Sequence, residues 1–264
     1  MNRRKRQLKF SKEEELVIRQ NGMLTDESIN IAQNLLSAKF PQYEGFQDTV
    51  LGKVNQFDVI HPNAQYIQIL NSASNLHWVC VANTNQNKSS NEEHYLYDSY
   101  AKLSEKYIPS DITSQIASYS CHPDPELVLH VTSVQQQNNS VDCGLYAIAF
   151  ATSLCYGHDP ESIVFDHSLM RSHLIKCIQD GDMTPFPSIG GKRCKRCPRV
   201  ASVVQIYCTC RQPYYPQEDF MVCCKDCNKW YHKKCAHVPI EFFRNKKKEC
   251  LCLICKNLSS SISC

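Results

Sequence analysis

The cysteines of this 264-residue chain are unevenly distributed, and this restricts its fold more than any other sequence feature. Five of the 17 cysteines lie before residue 190 and twelve lie after it. The later part has too few aliphatic residues to form a core of its own, so something other than apolar burial must hold it together. It carries four closely spaced ligand pairs, Cys208 with Cys210, Cys224 with Cys227, His232 with Cys235, and Cys252 with Cys255. Zinc binds four such ligands in a tetrahedron, so these eight residues predict two zinc sites.

The composition, with 42% hydrophobic and 21% charged residues, is typical of a globular protein. No stretch approaches the roughly 20 apolar residues that span a bilayer, so we expect no membrane partner. The basic residues Arg3–Arg6 have no apolar run behind them, so we expect no secretory signal, and thiols and metal ligands rather than disulfides. A net charge of +3 is too small to predict specific nucleic-acid recognition.

Basic residues cluster at Arg3–Arg6, Lys192–Arg199 and Lys246–Lys248. Such clusters occur in solvated tails and linkers, and they also occur as nuclear import signals. Together with a zinc module, they favour a nuclear location.

The apolar pattern predicts an α+β domain over residues 22–186, with a charged segment at 1–21 before it. Residues 187–204 form a basic linker that contains two thiols, Cys194 and Cys197, residues 205–258 form the zinc-stabilised finger, and residues 259–264 form a tail. Strands are predicted at residues 66–70, 76–82, 94–100 and 127–131, and helices at residues 12–20, from residue 24 onward, at 143–155 and at 162–177.

The helix that begins at Cys143 carries the main functional signal. Asp142 is a good N-cap residue, and Tyr156 followed by Gly157 closes the helix. A cysteine in the first turn lies where the helix dipole and free amides favour a thiolate. A buried core cysteine is the alternative, but the position at the helix start and Gln137 six residues upstream favour a nucleophile.

A thiol protease needs a thiolate, an imidazole, a group that orients the imidazole, and donors for the oxyanion. Cys143 supplies the thiol. His77 is the best imidazole because it lies on a predicted buried strand, and Asp98 at the end of the next strand can orient it. Gln137 and the Cys143 amide can donate to the oxyanion. The rival histidines are His94, His122 and His130.

The order His, Asp, Gln, Cys resembles that of the SUMO/ubiquitin-like-protein proteases (the Ulp, sentrin-protease and adenain family) over about residues 22–186. The matching motifs are His77-Trp78, Tyr97-Asp98-Ser99, and Gln136-Gln137-x-Asn139-x-x-Asp142-Cys143-Gly144. The resemblance implies a papain-like site in permuted order, with His77 as general base, Asp98 as its orienting group, Gln137 in the oxyanion hole and Cys143 as nucleophile.

The same resemblance implies a substrate tunnel for a Gly-Gly tail, with Trp78 as one wall. The tryptophan of the family's Trp-Leu-Asn-Asp motif falls on Met23, which therefore forms the other wall. This departure leaves the modifier open among SUMO, ubiquitin, another relative and a plain Gly-Gly-like peptide.

The cysteine-rich part, with Trp230 two residues before His232, resembles the PHD finger. In that family the ligand pairs interleave, which implies one zinc on Cys208, Cys210, His232 and Cys235, and the other on Cys224, Cys227, Cys252 and Cys255. Cys223 and Cys250 lie beside ligands and compete with them, although Cys224 fits the register best.

Some PHD fingers bind methyl-lysine of histone tails in a cage that attracts the cation to aromatic faces. The matching positions here are Tyr207, Tyr214, Met221 and Trp230. The sequence therefore predicts a nuclear thiol isopeptidase that a methyl-lysine-reading finger brings to chromatin. One alternative is a catalytically inactive histone reader that keeps the protease fold, and reaction with a ubiquitin-like activity probe would distinguish it from an active protease. The other alternative is a protein of a mobile element.

Overall fold

The structure is a computed structural model that describes residues 10–72, 76–85, 88–89, 93–101, 108–120, 126–190, 194–206, 208, 210–213, 221–236, 251–253 and 255–256. The chain divides into two compact units, one of residues 1–122 with 128–203 and one of residues 123–127 with 204–264. Within the described ranges, no helix has the length and apolar character needed to cross a bilayer. The five segments predicted from the sequence stay predictions.

The first helices of the chain begin with local caps. Ser11 accepts a hydrogen bond from the Glu14 amide, and Thr25 accepts one from the Ser28 amide. Such caps satisfy amides that a helix start leaves without partners. The helices are α1 (Lys12–Arg19), α2 (Asp26–Lys39), α3 (Thr49–Lys53), α4 (Ser110–Tyr119), α5 (Cys143–Cys155) and α6 (His167–Asp180), with a 3-10 turn at Pro160–Ser162.

A mixed sheet accompanies these helices. The strands are β1 (Glu44–Gly45), β2 (Tyr66–Ser72), β3 (His77–Ala82), β4 (Thr84–Asn85), β5 (Lys88–Ser89), β6 (Glu93–Tyr97), β7 (Glu126–Val131) and β8 (Val200–Gln205). In the described part of the chain the sheet has the order β1-β2-β3-β6-β7-β8, while β4 and β5 form a separate hairpin. The strands β2, β3 and β6 are antiparallel neighbours, and β1–β2 and β6–β7 are parallel pairs. The predicted α+β class is confirmed.

Helix α5 lies in the centre of the core. All 13 of its residues are buried, and it packs against β2, β3, α2 and α6. It ends as the sequence predicts, because Gly157 adopts a φ of 71° and its amide donates to the Leu154 carbonyl. A helix that is buried on every side is held firmly by its neighbours. Its first residue, Cys143, therefore has a well-determined position.

Helix α6 begins later than the sequence predicts. It starts at His167 rather than at Ser162. The residues between them are extended, because Phe165 forms a bridge with Ser188, and Asp166 then caps the helix. The tertiary pairing of Phe165 decides this boundary.

Helix α4 is not predicted from the sequence. Its buried residues include Ile112, Ile116 and Tyr119, which follow helical spacing. The helix begins directly after Pro109, so the pattern is only ten residues long. The sequence therefore contains a helical pattern for α4, but the pattern is short.

The stretch predicted as a basic linker, residues 187–204, is bound to the first unit over its described second half. The Arg196 guanidinium donates to the carbonyls of Ser133 and Ile163 at 2.9 and 3.2 Å. The side chain of Cys197 is buried. Basic composition favoured a solvated linker, but it could not indicate these partners within the fold.

The second unit contains a two-stranded antiparallel hairpin of β9 (Met221–Cys223) and β10 (Trp230–His232), in which Trp230 lies opposite Cys223 and His232 opposite Met221. Half of its buried core residues are cysteines, and the core consists of Cys208, Val222, Cys224, Tyr231, Ala236 and Cys252. A core of this composition buries little apolar area, so its stability has to come from another source.

Candidate active site and candidate metal centres

Three elements of the first unit bring Cys143, His77 and Asp98 together. Cys143 begins α5, His77 begins β3, and Asp98 directly follows β6. Because Cys80 of β3 lies opposite Tyr97 of the antiparallel β6, the start of β3 is beside the end of β6. The Nε2 atom of His77 lies 2.7 Å from Oδ1 of Asp98. The Cys143 thiol is hydrogen-bonded to the same imidazole.

Asp98 determines which nitrogen of His77 faces the thiol. Because Nε2 is bound to the carboxylate, Nδ1 is the nitrogen that can exchange a proton with the Cys143 sulfur. The carboxylate is held in turn, since its Oδ1 accepts a hydrogen bond of 2.8 Å from the Tyr100 amide. This is the arrangement that an orienting group requires.

The charge state of His77 follows from its two neighbours. Burial of the imidazole disfavours its charged form, but the hydrogen bonds and charges of Asp98 and Cys143 outweigh burial and raise the pKa of His77 to about 10. The ring is therefore protonated at neutral pH. A cationic imidazole therefore lies beside the sulfur of Cys143.

Replacement of Asp98 by asparagine is expected to move the alkaline limit of activity to lower pH. The imidazolium is lost as the pH rises through the pKa of folded His77, and removal of the Asp98 charge lowers that pKa. We also expect kcat/KM at neutral pH to fall by about 10²- to 10⁴-fold, the contribution of a positioned acid–base group. The measurement is the pH–rate profile from mildly acidic to strongly alkaline pH.

The control for this substitution is Asp180→Asn, which removes an exposed carboxylate that pairs with Lys176 on the surface of α6. Its profile should match that of the wild type. An unshifted alkaline limit in Asp98→Asn would show that another group holds the charge on His77.

Gln137 lies in the loop between β7 and α5, and its side-chain amide is held on both sides. Its Oε1 accepts a hydrogen bond of 2.6 Å from Ser99 Oγ, and its Nε2 donates to the Asn139 carbonyl at 2.7 Å. Its backbone amide donates to the Ser99 carbonyl at 2.8 Å. An amide NH₂ group has two hydrogens, so one is left for an oxyanion beside Cys143. Ser99 was not predicted to have this role.

Asp142 is the N-cap residue of α5, as the sequence predicts, although its side chain makes no hydrogen bond to the helix amides. The buried carboxylate instead binds Nε2 of His167 and Nδ2 of Asn139, both at 2.5 Å, and the guanidinium of Arg171. Burial raises the pKa of Asp142, but these hydrogen bonds and the Arg171 charge outweigh it, so the pKa lies below its usual value. The carboxylate of Asp142 therefore stays charged next to Cys143.

Arg171 links Asp142, the residue before Cys143, to the N-terminal part of the first unit. Its Nε donates to Asp142 at 3.0 Å, while Nη1 and Nη2 donate to the carbonyls of Ile18 and Gly22 at 3.0 and 2.9 Å. Gly22 directly precedes Met23. Sequence reasoning missed Arg171, since an arginine 29 residues beyond Asp142 gives no local signal.

Of the two residues that the resemblance assigns to the substrate tunnel, Trp78 lies near Gly144, the neighbour of Cys143. Trp78 is buried, and its Nε1 donates to the Leu24 carbonyl at 3.0 Å. Met23 is half-buried and directly precedes Leu24. A Cβ atom at Gly144 would lie 3.0 Å from Leu24 Cβ and 3.1 Å from Trp78 Cδ1. The role of Trp78 and Met23 in substrate binding stays a prediction.

Replacement of Gly144 by alanine is expected to lower both stability and activity. The added methyl would also lie 3.2 Å from Ile29 Cδ1, so it would be in close contact on three sides. Overpacking of this kind costs about 1–3 kcal/mol, which exceeds the gain of roughly 1 kcal/mol in helix propensity. Urea denaturation measures the first effect and kcat/KM the second. Gly190→Ala is the control, because a Cβ there meets nothing within 4 Å.

The rival histidines that the structure describes have other partners. His94 is buried and binds the Tyr66 hydroxyl. His130 stacks on Tyr95 with ring centroids 5.2 Å apart. His122 lies outside the described residues. Among the candidates whose positions are described, His77 is therefore the partner of Cys143.

The eight predicted metal ligands form two groups, and within each group the ligand atoms all lie within 4.8 Å of one another. The groups are Cys208, Cys210, His232 and Cys235, and Cys224, Cys227, Cys252 and Cys255. This is the interleaved arrangement that the PHD resemblance implies. Each group is able to hold a metal ion, and sets of four thiolates, or three thiolates and one imidazole, suit zinc.

Cys223 and Cys224 are adjacent but differ in position. Cys224 is buried within its ligand group, whereas the Cys223 sulfur lies 3.7 Å from the Cys224 carbonyl. The predicted competitor Cys250 lies outside the described residues. The predicted linker thiols Cys194 and Cys197 belong to neither ligand group.

Two of the four predicted cage residues lie on the hairpin of the second unit. Residues that pair across a hairpin project to the same face, so the register places Met221 and Trp230 on one face. Met221 is half-buried, and Trp230 is 46% exposed. Tyr207 and Tyr214 lie outside the described residues.

Residues 22–183 match the family model for the Ulp1 protease family, C-terminal catalytic domain. A structure of the SUMO protease Ulp1 with its catalytic cysteine oxidised to a sulfenic acid is 15% identical, covers 68% of this chain and 87% of its own, and has a TM-score of 0.50. A structure of the Ulp1 protease domain in complex with Smt3, the yeast ortholog of SUMO, is 14% identical, covers 66% and 84%, and has a TM-score of 0.46.

Shorter matches connect the chain with two chromatin proteins. It is 40% identical over 45 residues to the nucleosome-remodeling factor subunit NURF301 of Drosophila melanogaster, which is 17% of this chain and 2% of that protein. It is 42% identical over 38 residues to the chromatin remodeling protein SHL of Arabidopsis thaliana, which is 14% and 16% respectively. The chain therefore spans only a small fraction of these relatives.

Proposed function

Because the chain belongs to the Ulp1 protease family and is a cysteine peptidase, we propose that it is an isopeptidase that cleaves after the Gly-Gly-type tail of SUMO, ubiquitin or a related modifier. Its finger would bring it to chromatin by binding a methylated histone tail. The observation that carries the proposal is the hydrogen-bonded group of Cys143, His77 and Asp98 at the start of a buried helix.

The reaction follows from the positions of these groups. The Cys143 thiolate attacks the carbonyl carbon of the last residue of the Gly-Gly tail, and the negative charge moves to the carbonyl oxygen. That oxygen accepts hydrogen bonds from the Gln137 side chain and the Cys143 amide. His77 gives its Nδ1 proton to the leaving amine, so the carbon–nitrogen bond breaks and a thioester remains.

Water completes the reaction. His77, now neutral, takes a proton from a water molecule that attacks the thioester. The carbon–sulfur bond breaks, the modifier leaves with a free carboxylate, and the thiolate and imidazolium return. Asp98 holds the ring in the same orientation through both steps.

A panel of electrophilic modifier probes tests the proposed activity. SUMO, ubiquitin and related modifiers that carry a C-terminal electrophile are incubated with the wild type and with Cys143→Ala. We expect a covalent adduct with at least one modifier, seen as a mass increase in the wild type alone. No adduct with any probe, from folded and metal-loaded protein, would favour the alternative of an inactive histone reader, for which Met23 at the tunnel wall is the supporting observation.

The finger is proposed to bind two zinc ions and a methyl-lysine. The donor sets of the two ligand groups support zinc. The shared face of Met221 and Trp230, with an exposed indole for cation–π attraction, supports the methyl-lysine. The similarity to two chromatin proteins points in the same direction.

Binding of methylated and unmethylated histone-tail peptides tests this second part. We expect the wild type to prefer a trimethylated peptide and Trp230→Ala to lose that preference while it keeps its metal. Equal affinity of the wild type for both peptides would contradict the methyl-lysine proposal and leave the peptidase proposal intact.

A nuclear location is proposed from the same similarities and from the basic clusters. Within Lys192–Arg199, the side chains of Arg196 and Arg199 are bound to the fold, so import would depend on the other basic residues. Imaging of a fluorescently tagged chain tests this, and a cytoplasmic distribution would contradict it.

A further inference from the structure

The loop that leads to the nucleophile has little regular structure of its own. Residues 132–142 connect β7 to α5 and carry Gln137, yet they form only an isolated bridge at Gln135. One side of this loop is tied to the end of β6, because Thr132 donates to the Leu96 carbonyl and Gln137 donates to the Ser99 carbonyl. The other side is tied to residues that lie some 60 positions further along the chain.

These distant residues are 195–197. We call residues 195–197 and Arg199 the strap. The Gln136 amide donates to the Lys195 carbonyl at 2.8 Å, and Gln135 forms its bridge with Arg196. The Arg196 Nη1 donates to the Ser133 carbonyl at 2.9 Å. The strap therefore runs antiparallel to the loop as an added strand-like partner.

Two hydrogen bonds join Cys197 of the strap to Thr132 and Ser133 of the loop. The Ser133 hydroxyl donates to the Cys197 carbonyl at 2.7 Å, and the Cys197 thiol donates to the Thr132 carbonyl at 2.9 Å. Cys197 is only 2% exposed. Burial keeps water from competing for these hydrogen bonds, so each restrains the loop more than a surface bond would.

The strap is also hydrogen-bonded to the 3-10 turn at Pro160–Ser162. Arg199 Nε and Nη2 donate to the two carboxylate oxygens of Glu161 at 3.0 and 2.7 Å. Glu161 Oε1 also accepts the Ser133 amide. Arg196 Nη2 donates to the Ile163 carbonyl at 3.2 Å. The loop, the turn and the strap thus form one hydrogen-bonded body.

Within this hydrogen-bonded body, the loop contacts the proposed catalytic groups. Gln136 Nε2 donates to the Asp98 carbonyl at 2.9 Å, and Gln137, one residue later, is the proposed oxyanion donor. A donor must be placed within a few tenths of an ångström of the developing charge to stabilise it. We propose that the strap, which lies beyond the family match that ends at residue 183, is a working part of the peptidase unit, with Arg196 as the residue that positions the oxyanion loop.

This inference rests on the proposed function, since it assigns the strap to the Gln137 hole. Arg196→Ala is expected to lower kcat about tenfold with little change in KM, less than the roughly 10²- to 10³-fold loss on removal of an oxyanion donor. Arg196→Lys keeps the charge but loses the guanidinium fork, so we expect it to lose kcat as well. Arg19→Ala is the matched control, because that exposed arginine pairs only with Glu15 of its own helix in the bonds that the structure describes.

Two readouts separate positioning from general damage. Alkylation of Cys143 by iodoacetamide displaces iodide from a saturated carbon and forms no oxyanion, so its rate should be unchanged in Arg196→Ala. In the double variant with Gln137→Ala, the effect of Arg196→Ala on kcat should disappear, because the two substitutions act through one donor. A proportional loss of alkylation, or additive losses of kcat, would overturn the proposal.

Hydrogen exchange provides a test that does not need turnover. The Gln136 amide, which donates to the strap, should exchange faster in Arg196→Ala than in Arg19→Ala. Unchanged exchange of the Gln136 amide would overturn the proposal that Arg196 holds the loop, whether or not the protein cleaves a modifier. If the wild type reacts with no modifier, the proposed function fails, while this exchange result still decides whether the strap holds the loop.

Discussion

Replacement of Cys143 by alanine is expected to reduce kcat/KM for modifier cleavage by on the order of 10⁴-fold or more, the scale on which proteases lose activity without their nucleophile. No other described group lies where the thiol lies, at the start of α5 and hydrogen-bonded to the imidazole of His77. Binding of the modifier should persist, because the predicted tunnel residues Trp78 and Met23 are unchanged. The measurement is cleavage of a fluorogenic modifier substrate, together with the affinity of the variant for the intact modifier.

The sharpest control is another cysteine with a histidine partner. The Cys177 sulfur lies 3.3 Å from Nε2 of His173. Burial raises the pKa of Cys177, but hydrogen bonds from His173 and Thr184 outweigh it and lower the pKa. Thiol chemistry alone would therefore make Cys177 a rival nucleophile.

Geometry separates the two cysteines. Both residues are buried, but Cys143 is the first residue of α5, where the helix amides have no partners within the helix, whereas Cys177 lies inside α6. Cys177→Ala is expected to keep most of the wild-type activity and to lose only the stability of a small buried side chain. Activity that survives in Cys143→Ala and disappears in Cys177→Ala would reverse the assignment.

Removal of metal is expected to unfold the second unit and to leave the first unit folded. Half of the buried core residues of the second unit are its own ligands, and structural zinc typically contributes about 10–16 kcal/mol of apparent binding free energy to such a fold. The first unit has a separate aliphatic and aromatic core. Titration with a chelator should therefore release about two zinc ions per chain, while the alkylation rate of Cys143 and the unfolding transition of the first unit stay unchanged.

Two adjacent cysteines provide a matched pair for this experiment. Cys224 belongs to a ligand group, while the Cys223 sulfur lies near a backbone carbonyl. Cys224→Ser is expected to lose one zinc ion and to make the second unit sensitive to limited proteolysis, and Cys223→Ser to keep both ions. Mass spectrometry under native conditions counts them. If Cys223→Ser loses the ion and Cys224→Ser does not, the ligand register is shifted by one residue.

Local sequence patterns predicted much of the fold. The apolar run after Cys143 predicted a buried helix with a glycine end, and the mostly apolar run that ends at Ala82 predicted a buried strand. Both elements occur at those positions. Such features depend on residues within one or two turns or along one strand, which is why a single sequence carries them. The late start of α6 depends on the pairing of Phe165 with Ser188, and no local pattern indicates it.

The sequence by itself determined the chemistry that this chain has available, namely a thiol at a helix start, an imidazole and a carboxylate on successive strands, and ligand pairs at metal-binding spacing. Only the tertiary structure decided how these groups are held. In the folded chain the Asp142 carboxylate binds Arg171 and His167 instead of the helix amides, and the basic stretch around Arg196 binds the loop of residues 132–142. The physical reason is distance along the chain. A motif can be recognised from neighbouring residues, whereas a buried charge or carbonyl takes whichever partner the folded chain brings to it.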